Sequence, residues 1–142
     1  MLENTNTINS FPETESRRSA LEDLPIVICH VDLKGTFKYV NKYFEELTGY
    51  TRNEIVGRNA LKQGFFSDNM RSYILNRIAA RISGATSKKL ETQFKCKDGT
   101  SIWITLEATI IRKSGIPVGF QIAVTDITER KPSEEKMRYQ AD

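Results

Sequence analysis

The sequence predicts an α+β domain, a single five-stranded antiparallel sheet with helices on one face. Three observations carry this. Strand-type alternation occurs twice near the start and three times in the final third, and helical spacing fills the stretch between. No βαβ rhythm, internal repeat or glycine-rich phosphate loop occurs.

Taken in order, residues 1–13 are rich in Asn, Thr, Ser and Glu and read as a disordered start. Residues 14–24 read as a flanking helix, capped by Thr14 or Ser16 and stopped by Pro25. In "IVICHVD" the alternation sends Val27, Cys29 and Val31 to one face and Ile28 and His30 to the other. His30 thus reads as a sheet-surface histidine. A turn at "LKGT" leads into "FKYVN", giving a hairpin. Asn41 can cap the helix "KYFEELT", and Gly49 ends it. Thr51 and Glu54 have the spacing of a capping box.

After the irregular "RNALKQGFF", Ser67 caps a longer helix to Ser83, on which Met70, Ile74, Ile78 and Ile82 share a face. The last third is strand: "KLETQFKCK", an Asp98-Gly99 turn, "TSIWITLEATII", a turn in "RKSGIP", then "PVGFQIAVTD". The glycines at 35, 49, 57, 84, 99 and 115 read as turns and caps, not as a phosphate cradle.

With 142 residues, 39% of them apolar, the chain suffices for one domain with a core. The net charge of +3 is dispersed and argues against nucleic acid as a partner. No apolar run is long enough to span a bilayer, so no membrane contact is expected of this segment. The polar start lacks the pattern of a secretory signal. Cys29 and Cys96 stand far apart without metal-ligand spacing, which points to a reduced, cytoplasmic compartment and excludes structural zinc.

Three pieces in order, "VDLKGTFKYVNKYFEELTGYTRNEIVGRN", "KDGTSIWI" and "DITERK", resemble a PAS domain over residues 25–130. The resemblance implies a PAS-like sensory and dimerising module, working as a homodimer, with a pocket for a small molecule between sheet and helices. It also implies that Asp126, Ile127 and Thr128 relay a signal from the last strand to an outgoing helix, with Thr128 as that helix's cap. Pro132 departs from this pattern. It cannot donate to the Thr128 carbonyl, so a helix begun at Thr128 would be broken, and Pro132 itself is the better start, with Glu134 and Glu135 in the first turn. Residues 131–142 are then the start of a linker helix to an output domain outside this chain. Their "EEKMRYQAD" resembles the linker to bacterial diguanylate cyclase (GGDEF) domains, with a histidine kinase as the alternative output.

The pocket wall expected from the pattern takes Val27, Cys29 and Val31 from the first strand, Phe44, Leu47 and Ile55 from the short helices, and Ile74 and Ile78 from the long one. Phe94, Cys96, Ile104, Leu106, Ile122 and Val124 complete it from the last three strands. Close packing of these residues on one another, with no ligand, is the alternative, and the domain would then be a dimer scaffold. Asn59 and Gln63 are the possible amide donors to a ligand, with loop capping as their plainer role.

The photoreceptor branch of the resembled family, the LOV domains, places a flavin-reactive cysteine after a "GRN"-like sequence. Here Ala60 follows Gly57–Asn59, and the flavin-amide positions hold Phe94, Ile104 and Val124, so FMN photochemistry is not expected. Haem is not expected either, since the long helix lacks a histidine. Non-covalent FAD, as in redox-sensing members, stays open, and no cofactor is the first expectation. Trp103 and Thr105 alternate out of phase with the inner set and mark the outer sheet face as a dimer surface, or as a site covered by the N-terminal helix. No nucleophile with a base, paired carboxylates or metal-ligand set falls on the inner face, so the chain reads as regulatory and not as an enzyme.

Overall fold

The computed structural model describes Thr7–Ile8, Glu22 and residues 26–82 and 89–130. The flanking helix expected at 14–24, Glu22 apart, and the linker helix expected at 131–142 lie outside the described residues. Strands β1 (Thr7–Ile8), β2 (Val27–Asp32), β3 (Phe37–Val40), β4 (Leu90–Lys95), β5 (Ser101–Lys113) and β6 (Ile116–Asp126) form one sheet. Helices α1 (Lys42–Thr48), α2 (Arg52–Ile55) and α3 (Asp68–Ile82) come between β3 and β4, with a 3₁₀ turn at Ala60–Lys62.

The five expected strands are present and pair antiparallel in the order β4-β5-β6-β2-β3. β1 is an addition and a correction. Residues 1–13 read as disordered, yet Thr7 and Ile8 pair in parallel with Ile110 and Ile111. The physical reason lies in strand lengths. β5 is 13 residues long, whereas β4 pairs with it only as far as Leu106. The rest of that edge stays open, and an open edge accepts another strand.

Local chemistry sets the elements. Asn41 Oδ1 accepts from Phe44 N and from Ile28 N, so one buried amide caps α1 and ties it to β2. Gly49 closes α1 in the left-handed region at φ 85°, where a side chain would be strained. Thr51 and Glu54 form the reciprocal capping box on α2, and Ser67 Oγ accepts from Met70 N at the start of α3. The last hairpin is tighter than the sequence suggests. Ser114 and Gly115 both have positive φ, 52° and 81°, and Lys113 pairs directly with Ile116. That is the two-residue turn whose twist matches the strands.

The core lies between the inner sheet face and the helices. Val27, Cys29, Val31, Phe37, Phe44, Ile55, Phe65, Phe94 and Ile104 are buried there. Phe65 stacks on Phe94 with ring centroids 4.5 Å apart. α3 is the exception. None of its described side chains is buried, and Ile74 and Ile78, which face the sheet, are half-exposed. No helix among the described residues is long and apolar enough to cross a membrane.

Candidate functional site

Direct partners in an antiparallel pair share a face, so register alone assembles the inner wall. Val27, Cys29 and Val31 sit opposite Val124, Ile122 and Phe120. Leu106 sits opposite Val124, and Ile102 opposite Phe94. α3 lies over this surface without filling it, and a cavity of about 120 Å³ remains beneath Ile74 and Ile78. Apolar cavities of roughly 150 Å³ stay dry and take up benzene or xenon.

Twelve of the sixteen residues expected at the pocket line this cavity: Val27, Cys29, Val31, Phe44, Leu47, Ile74, Ile78, Phe94, Ile104, Leu106, Ile122 and Val124. The other four do not. Ile55, the last residue of α2, is fully buried in the core and does not line the cavity. Cys96 turns its Sγ to Leu47 O at 3.6 Å. Asn59 caps the 3₁₀ turn through Leu61 N and donates to Lys34 O. Gln63 donates to Asn59 O. Both amides thus serve the loop.

Sequence reasoning missed Phe37, Leu61, Phe65, Phe66 and Ile102, all of which line the cavity. Phe65 and Phe66 stand in the segment read as irregular, where no periodicity marks a face. The signal available was the paired aromatics themselves, immediately before the Ser67 cap.

The wall is chemically inert. Thr48 is its hydroxyl-bearing member, and that group donates to Phe44 O and accepts from Tyr50 N. Cys29 is fully enclosed, and burial pushes its thiol up to about 12, so it is no nucleophile at neutral pH. Among the described residues no three of His, Cys, Asp and Glu cluster to hold a metal. A haem does not fit these residues. His30, the sole histidine of the sequence, lies on the opposite face, its Nε2 2.9 Å from Gln121 Oε1. Among the described residues the wall offers no side-chain amide to a flavin ring.

His30 also corrects its sequence reading. It is on the outer face as expected, but it is fully buried, not a surface residue. Its ring lies 5.3 Å from that of Tyr39, whose hydroxyl donates to Glu22. Burial lowers its pKa, with the Gln121 bond acting in the opposite direction.

The exit from the sheet is built on β5. Past the last pair, Ile104 with Asp126, Ile127 N donates to Trp103 O at 2.8 Å. Trp103 N donates to Thr128 Oγ1 at 3.1 Å. Asp126 Oδ1 accepts from Thr128 N and from its hydroxyl. Thr128 was expected to cap the outgoing helix. That helix lies beyond the described residues, and within them the Thr128 oxygen caps the end of β5, because β5 begins three residues before that last pair and leaves Trp103 N–H exposed to it. Arg130 adds an ion pair to Glu91 on β4. Trp103 and Thr105 face outward opposite Gln93 and Glu91.

A five-stranded antiparallel sheet closed on one face by helices over an apolar cavity is a PAS-like fold. The chain matches the PAS domain family over residues 23–129 and belongs to it. PAS domains are regulatory, non-catalytic modules of signalling proteins. The sensor histidine kinase TmoS of Ectopseudomonas mendocina is 27% identical over 128 residues, 87% of this chain and 13% of that protein. Among solved structures, a PAS domain from Colwellia psychrerythraea aligns with a TM-score of 0.72 at 23% identity, covering 82% of this chain and 98% of that one. The PAS domain of the Cronobacter turicensis quorum-sensing receptor RpfR, in complex with C12:0, aligns at 0.63 and 22%, covering 75% and 97%. At these identities the likeness to the solved structures is one of fold.

Proposed function

We propose that this PAS domain senses a small apolar molecule held between the inner sheet face and α3. The observation that carries the reading is the pairing of an apolar cavity with a helix none of whose described side chains is buried. A ligand entering there gains burial at roughly 25 cal/mol per Å² of apolar surface, and α3 can yield without breaking a packed core. The C12:0 complex of the RpfR domain supports an apolar ligand class.

Occupancy would be relayed through β5. Ile102 and Ile104 line the cavity and flank Trp103, which holds Ile127 and Thr128. The signal would pass through Asp126–Thr128 to a linked output domain, a diguanylate cyclase or a histidine kinase, in a homodimer meeting at the Trp103–Thr105 face. The kinase relative supports the latter output.

Thermal unfolding with 1-octanol as probe tests the cavity. The expected result is a higher midpoint for the wild-type chain and a smaller rise for Leu106→Phe, which takes up part of the space. An equal response of both proteins, or none, would remove the cavity from the account.

A further inference from the structure

The geometry points to a site for an amphipathic anion, an aliphatic chain ending in a carboxylate, with its head group held by Arg77 and Arg81 of α3. This rests on the cavity reading above and specifies what it takes.

A second cavity of about 110 Å³ adjoins the first. The two share Val31, Ile74, Ile78, Leu106 and Ile122 in their walls. Thr48, its hydroxyl already bonded, is the polar side chain described in the first wall, whereas the second includes Arg77 and Arg81. Neither is lined by Asp or Glu among the described residues. Along one face of α3, Ile74, Ile78 and Arg81 follow at helical spacing, with Arg77 beside them. The face therefore changes from apolar to basic toward its C-terminal end. At 1.5 Å per residue Arg81 lies about 10 Å along the axis from Ile74, the reach of an extended chain of about eight carbons.

Both arginines line this space and have partners of their own. Arg81 donates to Ala108 O at 3.2 Å, on the stretch of β5 between the parts paired with β4 and with β1. Arg77 lies over the ring of Tyr73 at 5.5 Å and donates to its hydroxyl. Burial, and then the charge of Arg77, disfavour the cation at Arg81. An anion between the two would relieve both effects, and a carboxylate accepts from the planar guanidinium in a bidentate manner.

Calorimetric titration of the wild-type chain with sodium octanoate and with 1-octanol at pH 7.5 tests this. Octanoate should bind more tightly than 1-octanol. The variant R77Q/R81Q should lose about tenfold in octanoate affinity and keep its affinity for 1-octanol. R77Q alone, which leaves the Ala108 bond intact, should show part of the same loss if the double variant does not fold. Equal binding of both probes to the wild type, or octanoate affinity unchanged in R77Q, overturns the anion site and leaves the apolar cavity standing. Failure of both probes to bind overturns the two together.

Discussion

The backbone N–H of Trp103 donates to the side-chain oxygen of Thr128 across 3.1 Å. Trp103 thereby joins the exit of the domain to a strand position whose two neighbours, Ile102 and Ile104, line the cavity. Ile127 is held by the same residue, its N–H donating to Trp103 O.

Thr128→Val keeps the shape of the side chain and removes the acceptor. The half-buried Trp103 N–H then lacks this partner, at a cost of about 1–2 kcal/mol. Urea denaturation should show a lower midpoint with an unchanged slope. An unaltered midpoint would mean that the bond contributes nothing to the exit.

Packing differs sharply between the sheet and α3, and truncations should reveal it. Ile104 is 1% exposed, so Ile104→Ala should cost about 2–5 kcal/mol. Ile74→Ala, on the half-exposed helix, should cost less than half as much. Equal losses would mean that α3 is part of the rigid core and not a movable cover.

Burial holds His30 below the ordinary histidine pKa. As pH falls, the unfolded chain takes up the proton first. The stability contributed by neutral His30 is complete above a pH of about 6.5 and is lost as pH drops below that value toward the folded pKa. Urea midpoints at pH 7.5 and 5.5 should therefore fall further for the wild type than for His30→Gln. The same fall in both would assign the pH dependence to other groups.

Cys29 lines the cavity with a thiol raised to about 12. Each unit of pKa lowers the thiolate fraction tenfold, so at pH 8 Cys29 should react with a disulfide reagent on the order of a thousandfold more slowly than an ordinary cysteine. Cys96 is also raised, by burial first and then by Asp98 and Asp126. Rapid modification of Cys29 would reveal an open cavity mouth.

Strands and caps were legible in the sequence because each rests on local chemistry. Alternation placed Val27, Cys29 and Val31 on the inner face, and the Thr51–Glu54 spacing announced its capping box. The cavity wall was legible where a strand or a regular helix supplied it. Phe65 and Phe66 escaped because their segment has no period, and their place depends on contacts with the distant Phe94. The burial of His30 depends on Tyr39 and Gln121, the latter 91 residues away in sequence. The role of Thr128 depends on how far β5 overruns β6. None of these is a local property.

Amide hydrogen exchange at Trp103 and Ile127, with and without 1-octanol, tests the coupling of cavity to exit most directly. The account predicts that ligand changes the protection of both amides, and that Leu106→Phe weakens the change. Binding that alters exchange around Ile74 and Ile78 but leaves Trp103 and Ile127 untouched would contradict it.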